Sequence, residues 1–194
     1  VLPKCAGPAD VEALARLVAT HGGGDVPILA IATETVRAVR SLMRSDWSHP
    51  ALGGLTWGGE DLMADLGALR NRNAAGAYHS PFRLIRDLTL FAAGEAGVPA
   101  VDAVYTAFRD EAGLRAEAGQ AADLGFSGKL AIHPAQIAPI HAAFAPDEAA
   151  LAQARRIKDA FAASEGNATS LDGEMLDMPH FRRAMRLLQR AAVT

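Results

Sequence analysis

Short apolar segments alternate with amphipathic, helix-like segments along the chain up to residue 145. The longest strongly apolar run, Val26 to Ala32, lies in VPILAIATE and shows no polar alternation, which indicates a strand covered on both faces. Four other segments have a similar strand-like character: VLPK, GGLTWGG, VPAVDAVY and GKLAIHP. We therefore predict five parallel strands separated by helices, an α/β arrangement built from βαβ units.

The segments between these strands have helical spacing and helix-ending glycines. They are GPADVEALARLVATHGGG, TVRAVRSLMRS, EDLMADLGAL, FRLIRDLTLFAAGEAG, RDEAGLRAEAGQAADLG and AQIAPIHAAFA. From residue 146 onward, a charged helix, the polar stretch EGNATSLDGEMLDMP and a last helix, HFRRAMRLLQRAA, follow without a strand-like run. We predict two parts, residues 1–145 with about five βα units and residues 146–194 as a helical extension.

Polar residues stand at or just after the end of each predicted strand: Lys4, Glu34, Asp61, Asp102 and His133. In a (β/α)₈ barrel the carboxyl ends of the strands form one mouth, so these groups would converge there. An open doubly wound sheet would collect them along one edge. Because a barrel needs eight strands, the barrel interpretation carries the expectation that three further units precede this segment.

Composition excludes several classes of protein. The 194 residues are 50% apolar and 21% charged, with a formal net charge of −3, so there is no basic excess for nucleic acid. Cys5 is the only cysteine, which leaves no intrachain disulfide and no cysteine-rich zinc site. The longest apolar run is too short to span a bilayer. We expect a cytoplasmic protein that binds neither nucleic acid nor a membrane.

Glu34 and Asp61 form the most informative pair. They follow neighbouring predicted strands and are 27 residues apart, which places their carboxylates within reach of one cation. Two carboxylates with open coordination positions suit Mg²⁺, which prefers oxygen ligands and keeps several waters. Gly58 and Gly59 stand beside Asp61, where the absence of side chains would let the backbone and a ligand approach closely.

Simpler interpretations of these acids remain open at this point. Asp61 is also placed to cap a helix that begins at Leu62, and Glu34 to be a first-turn acid favoured by a helix dipole. Asp65 is better explained as a structural hydrogen-bonding residue, and Glu60 as a solvated one.

Four segments in order resemble the citrate lyase β-subunit-like branch of the HpcH/HpaI aldolase superfamily of CoA-ester lyases. They are AIATETVRAV, GGEDLMADLG, PAVDAVYTAFRDEAGLRAEAGQAADLGFSGKLAIHPAQI and LDGEMLDMP. The resemblance implies a (β/α)₈ barrel that cleaves or forms a carbon–carbon bond in a β-hydroxyacyl-CoA such as malyl-, citramalyl- or citryl-CoA. The products would be an acyl-CoA and a 2-oxo acid.

The resemblance also implies roles for particular residues. Mg²⁺ would be held by Glu34 and Asp61, the pair that the spacing selects. Asp177, in EMLDMP, would be a general acid/base delivered to a neighbouring subunit, although its position also suits a helix cap. A tail that acts on a neighbour predicts a homo-oligomer, a trimer or its multiple. Glu174 departs from the family pattern, which has a basic residue before the methionine.

Lys4, Lys129 and His133 are further candidates for contacts with the substrate or with CoA, and for His133 a structural hydrogen bond explains the position equally well. The family's first three strands, with a substrate-binding arginine, have no counterpart in this segment. Two alternatives therefore stay open. One is a metal-dependent aldolase that acts on free 2-oxo or hydroxy acids, and the other is a truncated, non-catalytic chain that binds CoA or a partner.

Overall fold

The computed structural model describes residues 1–164 and 166–191 of the chain. These residues belong to two compact units, Val1–Phe144 and Ala145–Thr194, and each unit is described by itself. None of the helices in the described part of the chain has the length and apolar character needed to cross a membrane.

The first unit is built on a parallel sheet whose strands follow one another in chain order. The strands are β1 (Ile28–Ile31), β2 (Leu52–Thr56), β3 (Ala100–Asp102) and β4 (Gly128–Lys129), and each pairs with the next. Parallel neighbours need a crossover connection, and here each connection contains at least one helix. A sheet in this order, with helices between its strands, is a consecutive part of a (β/α)₈ barrel.

The helices of the first unit begin and end where local chemistry favours it. They are α1 (Pro8–Thr20), α2 (Val36–Leu42), α3 (Gly59–Leu66), α4 (Ser80–Ala96), α5 (Glu111–Leu124) and α6 (Ile137–Phe144). The Thr35 hydroxyl accepts a hydrogen bond from the Ala38 N–H at 3.1 Å and thereby caps α2. Gly97 and Gly125 adopt left-handed conformations that end α4 and α5, respectively.

The first predicted strand, VLPK, is not formed, and this prediction is wrong. Only Leu2 makes a parallel bridge, to Ala30, through hydrogen bonds with Leu29 and Ile31. Pro3 has no N–H to donate, and Lys4 adopts a left-handed conformation with φ 51° that ends the extended backbone. The bridge still places Leu2 beside β1, at the edge of the sheet opposite β4.

The core of the first unit joins the sheet to its helices. Ile28 and Ala30 of β1 are buried in this cluster, whereas Leu29 and Ile31 are half-buried. The prediction that β1 is covered on both faces is therefore met on one face only within the described residues. Alternating side chains of a strand point to opposite faces, and the half-buried pair belongs to the face away from the main cluster.

A buried carboxylate, Asp102 at the end of β3, connects three other elements. It accepts hydrogen bonds from the Trp57 indole at 2.8 Å, from the Arg86 guanidinium at 2.9 and 3.1 Å and from the Lys129 ammonium at 2.8 Å. Burial raises the pKa of Asp102, but the charges of Lys129 and Arg86 outweigh it and hold that pKa below its usual range. Asp102 therefore faces α4, which carries Arg86, and serves the fold.

The second unit contains α7 (Glu148–Ala163), a two-stranded antiparallel hairpin and α8 (Met178–Ala191). The hairpin pairs β5 (Thr169–Leu171) with β6 (Glu174–Leu176), although this region was predicted to be a polar stretch without strands. Asp172 and Gly173 form its two-residue turn with φ 55° and 85°. Asp-Gly is a sequence typical of such turns, so the signal was present in the chain. The last predicted helix extends to Ala192, which lies outside the described residues.

Replacing Asp102 with Asn should strongly destabilise the first unit. The variant would leave Arg86 and Lys129 buried beside a neutral amide, and removing one partner of a buried ion pair costs about 3–5 kcal/mol. Urea unfolding followed by circular dichroism gives the free energy. Asp123→Asn on the exposed side of α5 is the matched control and should change stability by less than about 0.5 kcal/mol. Equal stability of both variants would contradict a structural role for Asp102.

Stability should also depend on acid through the same carboxylate. The pKa of Asp102 is lower in the folded chain than in the unfolded chain, where it is about 4. The ionised carboxylate therefore contributes its full stability at pH values above about 4. That contribution is lost as the pH falls through the lower pKa that Asp102 has in the folded chain. Unfolding free energies measured between about pH 7 and pH 3 should fall less steeply for Asp102→Asn than for the parent chain. Parallel curves would show that Asp102 is not the group responsible.

Candidate acidic site

Two carboxylates converge where β1 and β2 end. Glu34 lies in the loop between β1 and α2, and Asp61 lies in the first turn of α3, which follows β2. The two loops are tied together by a hydrogen bond from the Gly58 N–H to the Thr33 hydroxyl at 3.0 Å. Because β1 and β2 are parallel neighbours, their carboxyl ends carry both acids to the same edge of the sheet. The predicted pair is thus brought together.

Lys4 contacts both members of this pair. Its backbone N–H donates a hydrogen bond to the Glu34 carboxylate, and its ammonium forms an ion pair with Asp61. Glu34 is buried with 8% of its surface exposed, whereas the Asp61 and Lys4 side chains are 48% and 60% exposed. One carboxylate is therefore fixed in the protein, and the other faces solvent together with a cation.

The environment separates the acidities of the two carboxyl groups. Burial raises the pKa of Glu34, and the nearby charge of Asp61 raises it further. The hydrogen bond from the Lys4 ammonium lowers the pKa of Asp61. The pair therefore holds at least one ionised carboxylate, at Asp61, near neutral pH.

Neither Glu34 nor Asp61 caps a helix. Helix α3 begins at Gly59, earlier than predicted, so Asp61 lies inside its first turn and does not cap it. Glu34 precedes Thr35, which is the cap of α2, and so lies outside that helix. Neither acid is therefore explained by a helix end, and both carboxylates instead bind Lys4.

The other two acids of this segment have structural partners. Asp65 accepts a hydrogen bond from the Val36 N–H at 2.7 Å, which confirms its predicted structural role. Glu60 accepts a hydrogen bond from the Asn71 side chain at 2.7 Å and anchors the loop that follows α3. The prediction that Glu60 is solvated therefore omitted this contact.

Gly58 and Gly59 have a different role from the one predicted. A Cβ atom on Gly58 would lie 2.5 Å from Cγ of Glu34, and one on Gly59 would lie 3.1 Å from the Trp57 ring. The space that these glycines leave is thus filled by protein side chains. Gly58 allows Glu34 to reach its position, and Gly59 allows α3 to pack on Trp57.

The carboxylate pair fits a divalent cation that needs few protein ligands. Within residues 1–164 and 166–191, no group of three or more His, Cys, Asp or Glu side chains is arranged to hold a metal. Two carboxylate ligands suit Mg²⁺, which retains waters and accepts substrate oxygens in its remaining positions. The Lys4 ammonium lies against one of these carboxylates and neutralises part of their negative charge.

Lys129 and His133 do not join this pair. The Lys129 ammonium is buried and donates to Asp102 at 2.8 Å, Glu117 at 2.8 Å and the Ala103 carbonyl at 2.7 Å. All three of its N–H donors are used, so the predicted contact with CoA is replaced by a structural role. His133 is exposed, stacks on Phe108 with ring centroids 5.2 Å apart and accepts a hydrogen bond from the Ala135 N–H.

Asp177 belongs to the second unit, where it lies between β6 and α8. Its carboxylate contacts the His180 imidazole, with 2.6 Å between Oδ1 and Nδ1, and both side chains are nearly half exposed. Asp177 also lies at the cap position of α8, because its carbonyl accepts the His180 N–H at 3.0 Å and its own N–H donates to His180 Nδ1 at 3.2 Å. Sequence reasoning missed His180, although its spacing of three residues from Asp177 across a helix start was a usable signal.

The fold and the acidic pair define a protein of the (β/α)₈ barrel class with a carboxylate site at the carboxyl ends of its strands. The profile of the HpcH/HpaI aldolase/citrate lyase family matches residues 1–134. The chain belongs to this family.

Known relatives extend the comparison. A citrate lyase subunit beta-like protein from Mycobacterium tuberculosis is 41% identical over 191 residues, covering 98% of this chain and 66% of the relative. A (3S)-malyl-CoA thioesterase from Cereibacter sphaeroides is 36% identical over 198 residues, covering 98% of this chain and 64% of the relative. The chain thus spans 64–66% of the length of these two relatives.

One solved structure has both a similar fold and bound small molecules. It is protein CitE from Mycobacterium tuberculosis in complex with magnesium, acetoacetate and coenzyme A. Its TM-score is 0.73 at 37% identity, and the match covers 86% of this chain and 61% of that chain.

Replacing Gly58 with Ala should weaken divalent metal binding. The added methyl group would collide with Glu34 and displace its carboxylate, and changes that misplace a ligand typically cost about 10- to 100-fold in metal affinity. Mn²⁺ binding followed by electron paramagnetic resonance measures the effect. Gly119→Ala on α5 is the control, because a Cβ there meets no atom within 4 Å. Unchanged affinity for Gly58→Ala would remove Glu34 from the metal site.

Proposed function

We propose that this chain is the larger part of an Mg²⁺-dependent carbon–carbon lyase, or the reverse condensing enzyme, that acts on a β-hydroxyacyl-CoA. Malyl-, citramalyl- and citryl-CoA are the candidate substrates. The observation that carries the proposal is the convergence of Glu34, Asp61 and Lys4 at the carboxyl ends of neighbouring strands. Membership of the aldolase/citrate lyase family supports it, and so does the relative whose structure contains magnesium, acetoacetate and coenzyme A.

Glu34 and Asp61 would hold the metal in this proposal. When bound, Mg²⁺ supplies a Lewis acid that stabilises negative charge on a substrate oxygen. Glu34 contributes a ligand that burial and the Lys4 N–H hold in place, so little reorganisation is needed. Asp61 would contribute a ligand whose side chain is 48% exposed and therefore accessible from solvent.

Asp177 would exchange a proton with the α-carbon of the thioester. Cleavage leaves the electron pair of the broken carbon–carbon bond on that carbon, and a carboxylic acid in reach returns a proton to it. In the condensing direction the carboxylate would remove the same proton. The His180 ring contacts Oδ1 of Asp177, so Oδ2 is the oxygen that would exchange the proton in this proposal.

The extension that carries Asp177 would act on the site of a neighbouring subunit. A tail that reaches its neighbour in a closed ring requires head-to-tail contacts, which predicts a homotrimer or its multiple. Light scattering of the protein would determine its mass in solution.

Thioester hydrolysis is a second candidate, because one relative is a (3S)-malyl-CoA thioesterase. The two reactions differ in their products. Cleavage of the carbon–carbon bond of malyl-CoA releases a 2-oxo acid and acetyl-CoA, whereas hydrolysis releases malate and free CoA. An assay for 2-oxo acid and for free thiol therefore separates them.

Screening malyl-, citramalyl- and citryl-CoA with Mg²⁺ tests the proposal, and two variants test its residues. Asp61→Asn should abolish metal binding and, with it, the Mg²⁺-dependent turnover. Glu60→Gln is the neighbouring control. Asp177→Asn should lower kcat by about 10²-fold or more while Mn²⁺ affinity stays within about twofold, because it loses only proton transfer. Asp159→Asn on α7 is its control. Equal loss of turnover and metal binding in Asp177→Asn would contradict the acid/base role.

A further inference from the structure

Lys4 is held in an unusual conformation directly beside the candidate metal ligands. Its φ of 51° lies in the left-handed region, and among the described non-glycine residues only Asp172 shares a positive φ. A side chain with a Cβ occupies this region at a cost in free energy, so the contacts that hold it there must offset the cost. For Lys4 these contacts are the two carboxylates, one bound by its N–H and the other by its ammonium.

The two contacts differ in how easily they can be broken. The bond to Glu34 is made by the backbone and to a buried carboxylate, so it is part of the loop structure. The bond to Asp61 is made by a long side chain that is 60% exposed, to a carboxylate that is 48% exposed. An exposed ion pair of this kind is weak, and water and other ions compete with it.

The net charge of the site determines how the contact between the Lys4 ammonium and Asp61 responds to a bound cation. With both acids ionised, Glu34, Asp61 and the Lys4 ammonium together leave one net negative charge, which attracts a further cation. A divalent cation on the carboxylates reverses the balance and repels the ammonium, because like charges at this separation destabilise one another. The same excess positive charge attracts an anionic group of a substrate.

We propose that Lys4 is an exchangeable counter-ion: its ammonium neutralises Asp61 in the metal-free protein, leaves Asp61 when a divalent cation binds, and then binds the carboxylate of the 2-oxo acid portion of the substrate. This inference rests on the proposed function and adds to it a coupling between metal and substrate. Lys4 has three donors and a flexible stem, so its ammonium can change partner while its backbone N–H stays on Glu34.

The coupling predicts effects of opposite sign from one substitution, Lys4→Met. Removing the competing ammonium should tighten Mn²⁺ binding by roughly two- to fivefold, the range set by an exposed ion pair. At saturating Mn²⁺, the same variant should bind oxaloacetate at least about tenfold more weakly, because a charge-assisted hydrogen bond is lost. Isothermal titration calorimetry of the whole protein gives both constants without turnover.

Three further proteins complete the experiment. Lys158→Met, on the exposed side of α7, loses the same charge and should leave both constants unchanged. Lys4→Arg keeps a cation, so its Mn²⁺ affinity should not exceed that of the parent protein. Asp61→Asn establishes that Mn²⁺ binds at this site. Circular dichroism melting of each variant checks that it is folded.

Each alternative result has a definite meaning. Weaker Mn²⁺ binding by folded Lys4→Met would show that Lys4 is a fixed clamp that arranges the carboxylates, and would overturn the exchange. Unchanged Mn²⁺ and oxaloacetate affinities would overturn it as well. If Asp61→Asn abolishes Mn²⁺ binding while Lys4→Met has no effect, the exchange is wrong and the metal site stands. Absence of Mn²⁺ binding by the parent protein would overturn both the exchange and the metal dependence of the proposed function.

Discussion

The buried Asp102 carboxylate is the interaction on which the first unit depends. A charge removed from water is tolerated only when its hydrogen-bonding capacity is filled, and Asp102 accepts four hydrogen bonds, two of them from Arg86. The donors come from β4, from α4 and from the residue that follows β2. One carboxylate at the end of β3 therefore fixes the positions of both neighbouring strands and of a helix that covers them.

The same interaction reaches the acidic site through Trp57. Its indole N–H is held by Asp102, and its ring packs so closely on Gly59 that a Cβ there would lie 3.1 Å from it. Gly58, the next residue along the chain, leaves the space that Glu34 occupies. The position of Asp61 thus depends on Asp102: Asp102 holds Trp57, and Trp57 packs against Gly59 at the start of α3, two residues before Asp61.

Local patterns were sufficient to predict the parallel sheet, most helices and the pairing of Glu34 with Asp61, because strand ends and spacing are properties of short segments. They failed where long-range contacts decide. Lys129 was interpreted as a CoA contact, yet it binds Glu117 on α5 at 2.8 Å, and Arg72 binds the same carboxylate at 2.5 Å. No pattern within one segment indicates that a cation will meet a carboxylate 45 residues away. The missed hairpin is different, because the Asp172–Gly173 pair is a local sequence signal for a hairpin turn.

Two lysines beside acidic residues end with opposite roles, and the reason is the number of partners that each one has. Lys129 is buried, and its three donors are satisfied by two carboxylates and a carbonyl, so any exchange would leave charges unpaired out of water. Lys4 has one side-chain partner and is mostly exposed, so water can replace that partner at little cost. A lysine at a strand end therefore becomes structural when its coordination is complete and buried. It remains available to a ligand when its ammonium keeps free donors in solvent.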